Sequence, residues 1–113
     1  MPSEDRLAIA RDCYRAYEVG DRRLVEARLA DDFAFFSPAD VGIDRARYFE
    51  RCWPNADSIE SFSFVRLVEI GDEVLVTYEA TKSDGRRFRN SEVLSFRDDK
   101  VCRVEVYFGW DLE

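Results

Sequence analysis

A hairpin signal in the C-terminal third of the chain most constrains how it folds. Two segments, 74–81 and 88–96, are rich in β-branched and aromatic residues, which is typical of strands. Between them lies Asp84-Gly85, a dipeptide favoured in two-residue hairpin loops because a type I′ turn needs positive φ at both central positions. The pattern therefore predicts an antiparallel pair of strands joined by a two-residue loop.

This register predicts that one face of the hairpin has mixed polarity. That face is a candidate wall of a ligand pocket. Side chains alternate between faces along a strand, so Thr77 and Glu79 share one face with Asn90 and Glu92. Glu79 lies diagonal to Glu92, and such neighbours are roughly 7–8 Å apart. Under a layer of helices, burial and like charge would raise both pKa values. A neutral carboxylic acid can donate a hydrogen bond or shuttle a proton.

The same residues allow a second interpretation. The mixed face is solvated if Val74, Val76 and Tyr78 line the core instead. A slip of one residue in the turn would also exchange the two faces, because side chains alternate with a period of two.

Composition limits the classes of function. The chain has 113 residues, 46% of them hydrophobic, which predicts one domain over residues 1–113 with a substantial core. The net charge of −7 argues against nucleic acid and anionic membranes as partners. No segment resembles a signal peptide or a membrane span.

The histidine and cysteine content argues against a metal site. There is no histidine, which excludes histidine-based triads and a histidine general base. Cys13, Cys52 and Cys102 form no Cys-x-x-Cys pair, so neither a zinc site nor a disulfide framework is indicated. We expect no cofactor, and reduced cysteines in a cytoplasmic protein.

The predicted elements are two N-terminal helices, a short strand, a third helix and four strands. Helices before an antiparallel sheet indicate the α+β class. A strongly bent sheet wrapped around the helices would enclose a pocket. Ser3 and Gly20 are the predicted caps of the first helix, and Asp21 and Asp44 are the predicted N-caps of the second and third helices. The strands span 33–37, 59–70, 74–81, 88–96 and 101–108, with a loop at 37–42.

Three further residues are candidates for the pocket. Tyr14 lies on the apolar stripe of the first helix, either as core or with its hydroxyl in a cavity. Asp40 lies in the loop, at a cavity mouth or in a solvated turn. Arg66 falls on the phenylalanine face of its strand, where pairing with Glu79 or Glu92 would lower their pKa values.

One face of the last strand mixes charged and aromatic residues and is a candidate dimer contact. Arg103, Glu105 and Tyr107 share this face, and the predicted register adds Tyr78 from the hairpin. We hypothesise that two copies of the chain associate through this outer face of the sheet.

Five motifs are spread along the chain. They are Tyr-Glu-Val-Gly-Asp at 17–21, Leu-Ala-Asp-Asp-Phe at 29–33, Ser37-Pro38, Glu-Val-Leu-Ser-Phe-Arg-Asp at 92–98 and Val-Glu-Val-Tyr-Phe-Gly at 104–109. Together they resemble the nuclear transport factor 2-like superfamily, in its SnoaL-like and ketosteroid-isomerase-like branch. The resemblance covers nearly the whole chain.

The resemblance implies a cone-shaped, mainly antiparallel sheet around the helices, an apolar pocket and frequent homodimers. It implies that Glu92 stands where steroid isomerases keep a protonated Asp, and that Phe108 lies in the pocket wall. The isomerase base would be an Asp where this chain has Ser37. The oxyanion tyrosine would fall near Cys13, one residue from Tyr14. Steroid isomerisation is therefore not expected.

Two classes of function follow. The first is an isomerase, cyclase or hydrolase that transfers a proton to or from a small, mostly apolar carbonyl-type ligand. Glu92 would be the acid or base, Glu79 would tune it, and Asn90 or Tyr14 would orient the ligand. The alternative is a non-catalytic domain that binds a ligand through Glu79, Asn90 and Thr77, or a dimerising scaffold.

Overall fold

The computed structural model describes residues 5–112. Its helices are α1 (Arg6–Val19), α2 (Arg22–Glu26), α3 (Arg45–Cys52) and a 3₁₀ helix (Trp53–Asp57). Its strands are β1 (Leu29–Phe36), β2 (Val41–Asp44), β3 (Ile59–Ile70), β4 (Glu73–Lys82), β5 (Arg87–Arg97) and β6 (Lys100–Leu112). They form one sheet of order β2-β1-β6-β5-β4-β3. The α+β prediction is confirmed.

Local capping chemistry sets the helix boundaries. Asp21 and Asp44 accept backbone N–H bonds at the starts of α2 and α3, as predicted. Gly20 ends α1 with φ of 70°, a left-handed conformation that glycine adopts without steric cost. Asp5 caps α1, whereas Ser3, the expected cap, lies outside the described residues.

Strand β2 was missed because the segment was predicted to be a loop with turn residues. The turn is real: Ser37 and Asp40 exchange backbone hydrogen bonds of 2.7 and 3.2 Å. Its far side continues as β2, which pairs antiparallel with β1. β1 runs parallel to β6, and the other neighbouring strands are antiparallel.

The curved, unclosed sheet packs its concave face against the helices. Every second residue of β4 from Val74 to Ala80 is buried, and so are Leu94 and Phe96 of β5. They join Ile9 of α1 and Val25 of α2 in one core cluster. Full burial of such a side chain contributes about 1.5–3 kcal/mol.

Residues 83–86 connect β4 to β5, and Lys82 bonds to Arg86 around a loop of three residues, 83–85, so the predicted two-residue loop is wrong. The Gly85 N–H donates to the Lys82 carbonyl over 2.9 Å, and the Lys82 N–H donates to the Arg86 carbonyl over 2.8 Å. Gly85 has φ of 90°. A turn followed by a left-handed glycine is the common form of three-residue hairpin loop.

The longer loop shifts the register by one residue and exchanges the faces of β4. Thr77 lies opposite Ser91, and Glu79 lies opposite Arg89. Thr77 and Glu79 therefore face away from the helices, on the convex side. The predicted diagonal pairing of Glu79 with Glu92 is wrong, because the two side chains point to opposite faces.

The prediction that Arg66 shares the phenylalanine face of its strand is wrong, because β3 contains a bulge. The register shifts between Phe64 and Arg66, so Arg66 lies opposite Thr77 on the convex face instead of sharing the phenylalanine face. Within residues 5–112 no carboxylate pairs with Arg66; Glu79 is paired with two arginines of β5 instead.

A second bulge, at Gly109 of β6, shapes the end of the sheet near Phe108. The ladder passes from Asn90 opposite Phe108 to Arg89 opposite Trp110, which leaves Gly109 unpaired. The Asn90 side-chain oxygen accepts the Gly109 N–H over 3.1 Å. A Cβ atom at Gly109 would overlap the carbonyl of Arg89, so this position requires glycine.

Gly109→Ala should therefore lower the free energy of unfolding by about 3 kcal/mol, the cost of forcing an atom into packed backbone. Gly71→Ala is the matched control. Gly71 has φ of 58° but open space around it, so only the left-handed penalty of about 1–2 kcal/mol applies. Urea denaturation measures both. Equal losses would contradict the close contact at Gly109.

Candidate functional site

A cavity of about 650 Å³ opens between the concave face of the sheet and the helices. This size lies within the usual range for small-molecule sites. Aromatic residues form a substantial part of its walls and include Tyr17, Phe33, Phe35, Phe62, Phe88 and Phe108.

Glu92 is the acidic centre of this cavity. The Tyr14 hydroxyl donates to Oε1 over 2.9 Å, and the Tyr78 hydroxyl donates to Oε2 over 2.7 Å. The Asn90 side-chain N–H donates to the Tyr78 oxygen over 3.4 Å. α1 supplies Tyr14, and the shifted hairpin register brings Tyr78 and Asn90 directly opposite each other.

Burial raises the pKa of Glu92, while the hydrogen bonds from Tyr78 and Tyr14 lower it in part; the net shift is upward. The folded protein therefore favours the protonated form of Glu92 more than the unfolded chain does. The stability that protonated Glu92 contributes is complete below the ordinary glutamate pKa of 4.5. It is lost as the pH rises through the pKa that Glu92 has in the folded protein. Burial and the nearby Glu92 charge raise the pKa values of Tyr14 and Tyr78, so both phenols remain donors.

Aromatic packing holds the two donors in place. The Phe62 ring lies 5.3 Å from the Tyr14 ring and 5.1 Å from the Tyr78 ring, centroid to centroid. The Phe62 backbone N–H donates to the Glu18 carboxylate of α1 over 2.8 Å. This contact fastens α1 to β3 beside the site.

A second hydroxyl pair lies in the same cavity. The oxygens of Tyr17 and Tyr48 are 2.8 Å apart, and the Tyr17 ring packs 5.0 Å from Trp53. Burial raises the pKa of each phenol, so neither ionises near neutral pH.

The polar groups toward the mouth are already engaged. Asp40 lines the cavity and accepts from the Arg51 Nε over 3.0 Å. The Ser37 Oγ accepts the N–H groups of Ala39 and Asp40 over 3.2 and 3.1 Å. Ser37 is therefore a turn residue and supplies no general base.

The two cysteines in the cavity wall are protonated thiols. Burial raises the pKa of Cys13 to about 12 and that of Cys52 to about 11. A thiol in this state is a weak nucleophile. All three cysteines are free. Within residues 5–112, no cluster of three or more potential metal ligands occurs, and no helix is long and apolar enough to span a membrane.

The structure brings together five of the eight residues predicted for the site. The cavity is lined by Tyr14, Asp40, Asn90, Glu92 and Phe108. The other three face the convex side. Among them, Thr77 exchanges a 2.8 Å hydrogen bond with Ser91. Arg89, followed by Arg87, lowers the pKa of Glu79, the reverse of the predicted shift.

The sequence interpretation missed Tyr78 and the Tyr17–Tyr48 pair. The assumed hairpin register assigned Tyr78 to the outer face, whereas the alternative interpretation, in which Val74, Val76 and Tyr78 line the core, is confirmed for these three residues. Its shared parity with Val74, Val76 and Ala80 was the signal that could have placed it on the core side. No local pattern links Tyr17 with Tyr48, because they come from different helices.

A model of the SnoaL-like domain family matches residues 10–104. The chain belongs to this family. Its fold is similar to that of solved structures described as NTF2-like, which is the fold that the motifs indicated. No curated protein sequence matches this SnoaL-like domain significantly.

Solved structures with this fold share little sequence with the domain. A proposed ketosteroid isomerase from Kribbella flavida has 21% identity and a TM-score of 0.79, over 98% of this chain and 82% of that one. An LEH-like epoxide hydrolase from M. tuberculosis has 16% identity and a TM-score of 0.77, over 96% and 82%. IdmH of Streptomyces antibioticus, a proposed polyketide cyclase, has 17% identity and a TM-score of 0.75, over 91% of each chain.

Tyr78→Phe should raise the pKa of Glu92, because it removes the stronger of the two hydrogen bonds to the carboxylate. Tyr14→Phe should raise it less. Carboxylate NMR titration measures the shift, with Glu92→Gln to assign the signal. Tyr107→Phe, which removes an exposed hydroxyl, is the control. A Glu92 pKa unchanged in Tyr78→Phe would contradict the network.

Proposed function

We propose that residues 1–113 form a SnoaL-like domain that binds a small, mostly apolar ligand carrying a carbonyl or hydroxyl group. Glu92 exchanges a proton with that group, as an acid or a base. The observation that supports the proposal is the Tyr14–Glu92–Tyr78 network inside an aromatic cavity. Perturbed acids in such cavities are the groups that enzymes use for proton transfer.

Counting the hydrogens of the network explains the proposed chemistry. Tyr14, Tyr78 and neutral Glu92 carry three hydroxyl hydrogens, but only two bonds join the three groups. One hydrogen remains to be donated to a ligand carbonyl. When Glu92 is ionised, its oxygens keep lone pairs that accept a proton from an enol, an alcohol or a water molecule.

The proposed reaction uses a single carboxyl group. Glu79 has no part in it, because it lies on the opposite face of the sheet and pairs with Arg89. The position of the steroid isomerase base is Ser37, whose oxygen is engaged in a turn. An isomerase, cyclase or hydrolase in which Glu92 acts with the two phenols fits these residues best. A non-catalytic binding protein would use the same contacts.

Proton exchange at a simple ketone tests the catalytic proposal. We expect the protein to accelerate exchange of the methyl protons of 2-acetylnaphthalene with D₂O, observed by NMR. Glu92→Gln should reduce the enzymatic rate by about 100-fold or more, the usual contribution of a general acid or base. Glu105→Gln, on the convex face, is the matched control.

The outcomes separate the two classes of function. If the ketone binds the wild type without faster exchange, the domain is a binding protein for this chemical class. Equal exchange rates in the wild type and Glu92→Gln would contradict proton transfer by Glu92.

We also infer that the convex face is the contact surface of a homodimer. Four large apolar side chains of this face are exposed to solvent: Val68 at 44%, Ile70 at 60%, Tyr107 at 55% and Trp110 at 62% of their surface. Aromatic side chains such as Tyr107 and Trp110 are enriched at protein–protein interfaces. Tyr78 does not belong to this surface, because it faces the cavity.

Tyr107→Asp should disrupt this dimer, because it places a charge within the apolar contact. Analytical ultracentrifugation measures the molar mass of the wild type and the variant. Arg11→Asp, an exposed change on α1, is the control. A dimeric Tyr107→Asp protein, or a monomeric wild type, would contradict this interface.

A further inference from the structure

The Tyr17–Tyr48 pair has one more hydrogen than its own contact uses. One hydroxyl donates to the other across 2.8 Å, and either can be the donor. The acceptor keeps its own hydrogen. Throughout residues 5–112, no third side chain or carbonyl forms a hydrogen bond with either oxygen. The pair can therefore give one hydrogen bond to a group in the cavity.

Packing alone does not explain two tyrosines at these positions. Tyr48 packs its ring against Phe33 and Phe49, and Tyr17 packs against Trp53. Phenylalanine rings would make the same contacts. Replacing both partners of a buried hydrogen bond by apolar groups of the same shape is nearly neutral for stability.

The pair opens onto the same cavity as Glu92. Tyr14 and Tyr17 are three residues apart on α1, so they lie on one helix face with Cβ atoms about 5–6 Å apart. Both line the cavity, together with Tyr48 and Glu92. Two separate polar groups, the Glu92 network and the tyrosine pair, thus line the same cavity.

The charges around the cavity do not favour an ion. Apart from Glu92, its charged lining residues are Asp40, Arg51, Lys82 and Asp111, two of each sign. Arg51 is already paired with Asp40.

We propose that Tyr17 and Tyr48 form a second ligand subsite, and that the cavity selects an uncharged, largely apolar molecule with two separated oxygen groups. One oxygen contacts the Glu92 network and the other contacts the tyrosine pair. The first contact rests on the proposed function; the second depends only on Tyr17 and Tyr48.

Matched mono- and diketones test this subsite. The diketones are 1,3-diacetylbenzene, 1,4-diacetylbenzene and 2,6-diacetylnaphthalene, which hold two carbonyls at increasing separations. Acetophenone and 2-acetylnaphthalene are the single-carbonyl controls. Dissociation constants are measured by NMR titration. We expect one diketone to bind about three- to tenfold more tightly than its control, the effect of one added hydrogen bond.

The double variant Tyr17→Phe/Tyr48→Phe should abolish this preference. Tyr107→Phe, on the convex face, should keep it. Tyr48→Phe alone should retain part of the preference, because the Tyr17 hydroxyl still carries a hydrogen. Circular dichroism and urea denaturation confirm that each variant is folded.

The results separate this inference from the proposed function. If Glu92→Gln weakens the single ketones but the double variant keeps the diketone preference, the second subsite is wrong and the Glu92 site stands. If the double variant loses the preference but Glu92→Gln changes no affinity, the subsite holds and the Glu92 contact is wrong. A wild type without any diketone preference overturns the subsite, and one that binds none of the ketones overturns both.

Discussion

The register of the β4–β5 hairpin is the constraint on which the cavity depends. Gly85, in a left-handed conformation, closes a three-residue loop and thereby sets which side chains of β4 share a face with Glu92. In this register Tyr78 faces the helices, while Thr77 and Glu79 face outward. A shift of one residue would replace a phenol donor by a second carboxylate beside Glu92.

The two faces of the hairpin shift the pKa values of two glutamates in opposite directions. Glu92 lies under the helices, where burial raises its pKa and two phenols partly compensate. Glu79 lies outside, where Arg89 lowers its pKa. Hydrogen bonds to a charged group contribute about 1.5–3 kcal/mol each, whereas burying an ionised carboxylate costs several kcal/mol. For Glu92 the effect of burial exceeds that of the two hydrogen bonds, so the net shift of its pKa is upward.

Local chemistry accounts for the successful part of the sequence analysis. The helix caps at Gly20, Asp21 and Asp44 depend on neighbouring backbone groups, so the order of the helices could be predicted. Glu92 and Tyr14 could be recognised because each lies on the apolar side of a periodic element. The candidate pairing with Glu79 failed because it rested on an assumed loop length, and loop length is not determined by Asp84-Gly85 alone.

The sequence by itself determined the α+β class, the helix boundaries at Gly20, Asp21 and Asp44, the approximate strands, and Tyr14 and Glu92 as residues of the cavity wall. Short-range periodicity and capping encode these features. Only the tertiary structure decided the hairpin register, the bulge before Arg66, the pairing of β2 and the contact between Tyr17 and Tyr48. Each of these depends on which distant backbone segment lies alongside. Because strand side chains alternate with a period of two, one extra residue in a loop or bulge reverses the face that a side chain occupies.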